Sequence, residues 1–245
     1  MNLNFDFMLR TLGLVLKAVP VTLNITLVTL ALSVPLALGI ALARIYRVRG
    51  LAWFATVYVS FIRGTPIVLQ ILIVYSLLPS LFNAAIKSAG LGINVFALNP
   101  IVYAYLVFTF NTAAALSEVF RAALLTVNRG QLEAALAAGL SPAQGYRRIV
   151  LPQAALAALP SLCNLTTNLI KNTSLAFLMT VKDITAAAKI AAARGYNYIE
   201  AYLDIFAVYI IICALTQKLF GLCENNLGKW RAGELSEMPN TPAKD

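Results

Sequence analysis

Between Lys17 and Arg44 no residue carries a charge. An uncharged apolar run of about 18 or more residues is long enough to cross the hydrocarbon of a bilayer as a helix. That feature alone marks the chain as a membrane protein. The first span is read at residues 20–43, with a kink at Pro35. It is not a secretory signal, because the run is too long and lacks a basic leader. A second run follows Arg63, over residues 66–79. A third lies between Lys87 and Glu118 and continues to Val127. A fourth covers 152–170, with an extension towards Val181, and a fifth covers 202–222. The expectation is an all-α integral membrane fold of five transmembrane helices, with the termini on opposite sides.

Composition narrows the chemistry further. Of the 245 residues, 60% are hydrophobic and 12% charged, where a soluble domain carries about 25% charged residues. Histidine is absent, which removes imidazole catalysis and His-ligated metals. Cys163, Cys213 and Cys223 sit in apolar runs without ligand spacing and read as small core hydrophobes. The net charge of +9 does not signal nucleic acid, because the cations flank apolar runs instead of forming a stripe.

Those cations also set the orientation. One side holds Arg44, Arg47, Arg49, Arg129, Arg147, Arg148, Lys229 and Arg231, packed against span ends; the other holds Arg10, Lys17, Lys87, Lys182, Lys189 and Arg194. The denser set is expected in the cytoplasm, which places the N-terminus outside and the C-terminus inside. Residues 1–19 are then an outer-side segment and 20–225 the transmembrane domain. Residues 226–245 form a cytoplasmic tail, disordered for want of apolar periodicity. Asp183, Glu200 and Asp204 fall on the outer side, as solvated loop charges or as contacts for an extracytoplasmic protein.

The stretch "EAALAAGLSPAQGYRRIVLPQA", from Glu133 to Ala154, is apolar but is not another span. Its signals describe two short helices. "GQLEAALAAG" combines helix formers with Gly139, a residue suited to the left-handed turn past a helix C-terminus. "SPAQ" offers Ser141 as N-cap, Pro142 at the first helical position and Gln144 at the third, a capping box. Pro152 marks the start of the next helix. A connection with this much secondary structure, over residues 128–152, is expected to be functional.

This segment carries a resemblance. Glu133-Ala134-Ala135, Gly139, Ile149 and Leu151-Pro152, at their spacing, resemble the cytoplasmic EAA loop of ABC-importer permease subunits. "FIRGTPIVLQ", "SEVFRAALLTVNRGQLEAA" and "NLIKNTSLAFLMT" are similar to the polar amino-acid uptake branch of that family, of the cystine, glutamine and histidine type. The resemblance covers residues 20–224. It departs at Ala123, where the branch usually has glycine, and at Asn172, where aspartate is common.

The resemblance implies a type I importer half in the cytoplasmic membrane of a prokaryote. Its implied partners are cytoplasmic ABC ATPase subunits, a second permease (identical or homologous), an extracytoplasmic substrate-binding protein and membrane lipid, with no nucleic acid. It implies that Glu133 makes polar contact with the ATPase, that Gly139 permits the turn, and that Ala134 and Ala135 allow close packing. Arg147 and Arg148 face either the ATPase or lipid headgroups. No GxxxxGK[ST] sequence occurs in this chain. ATP and Mg therefore belong to a separate polypeptide, and this chain holds no cofactor or metal and is not an enzyme.

Polar residues inside the apolar runs are the remaining candidates. Glu118 and Arg121, three apart on one helix, can form an intramembrane ion pair that locks the helix, or else contact a ligand. Arg63 precedes Gly64-Thr65-Pro66, which should break the helix, either beside a water-filled cavity or as an interfacial elbow. Asn111 and Thr112 lie near mid-membrane. Asn164, Thr167 and Asn168, at i, i+3 and i+4, form a polar stripe, with Lys171 above them, either on the path or snorkelling to the outer interface. These residues outline a hydrated path for a zwitterion, or else hold helices together by hydrogen bonds. The leading expectation is an ATP-driven amino-acid importer, cystine first among cargoes. The alternative is a secondary transporter or channel working without an ATPase, although no internal repeat of the usual kind is evident.

Overall fold

The computed structural model describes residues 3–90 and 95–236, the side chains of 228–236 excepted. Every regular element among the described residues is a helix: α1 (Phe5–Ile45), α2 (Leu51–Gly64), α3 (Ile67–Ser88), α4 (Ile101–Thr126), α5 (Arg129–Ala137), α6 (Pro142–Gly145), α7 (Leu151–Asn172), α8 (Ile184–Ala192) and α9 (Tyr198–Ser236). Short 3-10 turns at Val95–Ala97 and Thr173–Met179 and a π turn at Tyr146–Val150 complete them.

Among the described residues, four stretches are long and apolar enough to cross a membrane: Phe5–Ile45, Ile67–Ser88, Pro142–Met179 and Tyr198–Leu227. Helix α4 is also long, at 26 residues, but carries Asn111, Glu118 and Arg121. It can afford them because α1, α2, α3 and α7 pack around it. A helix enclosed by other helices need not present an apolar surface to lipid.

The contact between α1 and α4 organises the bundle. Helix α1 turns Thr22, Thr26, Thr29, Ser33, Ala37 and Ala41 inward, a run of small residues three or four apart that lets two backbones approach. The Ser33 hydroxyl donates to the Thr109 carbonyl at 3.1 Å. Along this seam Ile25, Ile71, Phe108, Leu169 and Met179 form one apolar core. Val15, Ile170, Ile184, Ala188 and Val208 form a second, where α8 lies against α1 and α9. Ala123, Ala154 and Ala158 close α4 on α7 at the other end.

Several boundaries differ from the sequence reading, for related reasons. Counting charges locates a lipid-compatible run, not a helix. Helix α1 therefore begins at Phe5, fifteen residues before the expected span, and stays helical through Pro20 and Pro35. It is 41 residues long, or about 60 Å at 1.5 Å per residue. Helix α2 has 14 residues, too few for a span, and was not anticipated. Helix α3 passes Pro79 and reaches Ser88, while α4 starts only at Ile101. No loop separates α6 from α7; the π turn joins them, and Pro152 sits in the first turn of α7. Helix α9 continues to Ser236, so residues 226–236 are helical where a disordered tail was expected. Residues 237–245 lie outside the described residues.

Candidate coupling hairpin and translocation path

The hairpin of α5 and α6 is built from local signals. Asn128 caps α5 by accepting from the Gly130 N–H at 2.9 Å. At its other end Gly139 has φ +83°. The Gly139 N–H donates to the Leu136 carbonyl at 3.0 Å and the Leu140 N–H to the Ala135 carbonyl at 3.1 Å. These two bonds form a Schellman motif, which satisfies the last carbonyls of the helix. Ser141 and Gln144 exchange bonds of 3.3 and 2.8 Å as a capping box. The two helices touch at Gly145, where an added Cβ would stand 2.8 Å from Leu132 Cδ1 and 3.6 Å from Ala135 Cβ. Ala135 is buried at this contact, while Glu133, Ala134, Arg147 and Arg148 are exposed. The hairpin thus presents one acid and two arginines outward.

Three connections tie the hairpin to the spans. Two are covalent, from α4 through Val127 and Asn128 and through the π turn into α7. The other is a contact of 2.6 Å between the hydroxyls of Tyr146 in that turn and Tyr46 past the end of α1. The bond to Tyr146 pushes the Tyr46 phenol above its ordinary 10.0. Sequence reasoning missed this pair, which is 100 residues apart. A cavity of about 400 Å³ lies beside it, lined by Leu42, Leu124, Val127, Leu132, Glu133 and Tyr146 among others.

An ion cluster crosses three helices nearby. Arg121 donates to Glu118 Oε2 through Nε at 3.1 Å and Nη2 at 2.9 Å. Arg44 Nη1 donates to Glu118 Oε1. Arg63 Nη1 stands 4.0 Å from the same oxygen. Arg44 and Glu118 are partly buried, at 17% and 20% side-chain exposure, whereas Arg63 is 56% exposed. In the sequence Arg44 only ends an apolar run, and nothing there marks it as a partner of Glu118.

The path candidates separate into groups with different neighbours. The α2–α3 break after Gly64 is sealed by Gln70, whose Nε2 donates to the Ile62 carbonyl at 2.9 Å and to the Thr65 carbonyl and hydroxyl at 3.2 and 2.8 Å. Asn111 Nδ2 donates to Gln70 Oε1 at 3.0 Å, so Asn111 and Arg63 belong to one locus. Thr112 is buried on another side of α4. The expected stripe on α7 is split. Asn164 and Asn168 are exposed, but Thr167 is buried and its hydroxyl donates to the Cys163 carbonyl at 2.6 Å. Lys171 is exposed in a separate groove of about 450 Å³ between α7 and α9, with Ser174, Thr185, Tyr202, Phe206 and Tyr209.

The outer-side acids are corrected by the fold. Asp183, Glu200 and Asp204 are 0%, 8% and 5% exposed, and so are not solvated loop charges. Asp183 Oδ1 caps α8 by accepting from the Ala186 N–H at 2.9 Å, and burial pushes its carboxyl up to about 6. Glu200 Oε1 accepts from the Asn4 N–H at 3.0 Å, closing α9 onto the start of α1. The cysteines also differ from expectation, since Cys163 and Cys213 are only half-buried and Cys223 is exposed. Among the described residues no three His, Cys, Asp or Glu side chains gather to hold a metal.

Comparison with known proteins supplies independent findings. Residues 33–224 match the family described as binding-protein-dependent transport system inner membrane component. An L-cystine transport system permease protein of Bacillus subtilis (strain 168) is 36% identical over 210 residues, covering 86% of this chain and 85% of the relative. A probable amino-acid ABC transporter permease protein of Vibrio harveyi is 33% identical, covering 94% of this chain and 98% of the relative. The crystal structure of an amino acid ABC transporter with histidines superposes with a TM-score of 0.76 at 27% identity, over 92% of this chain and 100% of that one.

Proposed function

The chain belongs to the binding-protein-dependent transport system inner membrane components, and from that premise we propose that it is the permease half of an ATP-driven amino-acid importer. The family is one of transport components, so the chain is not itself the ATP-hydrolysing subunit. The observation that carries the reading is the α5–α6 hairpin. It is capped at both helices, packed at Gly145, exposed at Glu133, Ala134, Arg147 and Arg148, and continuous with α7. A rigid lever of this kind suits a surface that receives movement from a nucleotide-driven partner.

In this reading α1, α3, α4, α7 and α9 are the five spans, with the N-terminus outside and the hairpin and C-terminus in the cytoplasm. The hairpin docks on an ATPase, a second permease copy completes the path, and a binding protein delivers the solute outside. Asn111, Arg63, Asn164, Asn168 and Lys171 are the residues offered to that path, while Thr112 and Thr167, being buried, serve helix packing. The cargo is a polar amino acid, with L-cystine favoured by the 36% identical relative.

Co-purification with the ATPase tests the coupling role. Combining Glu133→Lys with Gly139→Trp should abolish capture of the ATPase while the permease still reaches the membrane. Undiminished capture would remove the hairpin from the interface. ATP-dependent uptake of L-cystine into proteoliposomes tests the cargo.

A further inference from the structure

Helices α2 and α3 are little enclosed by the rest of the bundle: α2 buries only Ala55 and Val59, and α3 only Ile71. Arg63 projects on this side, from the last turn of α2, and its side chain is 56% exposed. The importer reading sets Arg63 beside the path, and a guanidinium there belongs beside water or an anion, not against lipid tails. The anion nearest to it is already taken. Glu118 receives Arg44 on Oε1 and two N–H donors of Arg121 on Oε2, leaving Arg63 Nη1 at 4.0 Å, outside hydrogen-bond range.

Three guanidiniums around one carboxylate leave a net charge of 3 − 1 = +2 at this locus. Arg44 and Arg121 hold Glu118 in place from two helices, so it cannot swing out to satisfy Arg63. Asn111 and Glu118 are seven residues apart on α4, two turns on one face. The same face therefore meets the sealed α2–α3 break above and Arg63 below.

We propose that Arg63 is a carboxylate-binding residue of the translocation path, receiving the α-carboxylate of the transported amino acid beside the immobilised Glu118. The proposal rests on the importer reading and deepens it by naming the chemical group recognised. The planar fork of arginine donates two parallel N–H bonds to a carboxylate, which a lysine cannot reproduce. The net positive charge of the cluster draws a carboxylate towards Arg63, the exposed member whose N–H donors Glu118 does not take up.

The test uses the assembled permease–ATPase complex in detergent, without binding protein, and two matched probe pairs. These are L-cystine with its decarboxylated analogue cystamine, and L-arginine with agmatine. Wild type should bind the carboxylated member of at least one pair more tightly. Arg63→Gln should weaken that binding by about ten- to a hundredfold and erase the preference over the decarboxylated analogue. Arg63→Lys should recover part of it. An Arg63→Gln complex that keeps both affinity and preference overturns the proposal. So does one that assembles only with Arg63→Lys yet keeps the preference, because the residue is then a structural cation. If wild type takes up neither L-cystine nor L-arginine with ATP, the cargo reading fails first, and Arg63 is not what failed.

Discussion

Asp183 shows how little a charge in a sequence says about its surroundings. Its neighbours Lys182 and Lys189 suggest a wet loop, yet it is completely buried at the head of α8. Burial raises its carboxyl from 3.8 to about 6, against the bond from Ala186 that lowers it. An acid whose pKa rises on folding holds its proton more tightly folded than unfolded. Its contribution to stability is therefore complete below 3.8 and is lost as pH rises through about 6. The melting temperature in detergent should fall between pH 4 and pH 7. Asp183→Asn, which keeps a capping side chain, should flatten that decline; an unchanged slope would show that another group controls it. Glu118 teaches the complementary lesson. Its i, i+3 partner Arg121 is legible from spacing, whereas Arg44, 74 residues away, becomes a partner only through the packing of α1 on α4.

At the scale of elements, the best-read part of the chain is the hairpin, because its determinants are local. Gly139, Ser141, Pro142 and Gln144 act within a few residues of themselves, and each takes the conformation its chemistry demands. Ser141→Ala should cost about 1 kcal/mol through loss of the cap. Gly139→Val should cost more, since a β-branched residue is poorly tolerated at φ +83°. Both are measurable as lowered melting temperatures of the purified permease, with Gly139→Asn milder than Gly139→Val. The spans were legible as runs but not as helices. Arg10 and Lys17 end an apolar run without ending α1, and Pro79 punctuates the sequence without stopping α3. The short α2 carries no span-length signal, so the break that positions Arg63 and Gln70 was visible only as Gly64-Thr65-Pro66. The α7 stripe failed at Thr167 because three polar residues one turn apart still fan across part of a helix. There the inner edge meets protein and the outer edge does not.

For the whole molecule, the topology proposed above makes a directional prediction. In a background with Cys163, Cys213 and Cys223 replaced by serine, Arg147→Cys should react with an impermeant maleimide only from the cytoplasmic side. Arg194→Cys, also exposed, should react only from the outside. Labelling of both from one side would overturn the five-span arrangement. The enclosed position of α4 explains why this helix, with its Glu118 and Arg121, stands apart from the four that are plainly apolar enough to cross. In a bundle, the central helix carries the polar load because its neighbours shield it from lipid.

The sequence by itself determined that the chain is a helical membrane protein, and it specified the capped hairpin together with the family that hairpin resembles. Hydrophobicity and capping act over a few residues, so they can be read along the chain. Only the tertiary structure decided that Arg44 serves Glu118, that Tyr46 meets Tyr146, that Asp183 is buried, and that Arg63 stands 4.0 Å from Glu118, beyond hydrogen-bond distance. Those outcomes depend on which helix faces come together, and a face is defined by its neighbours, not by its own residues.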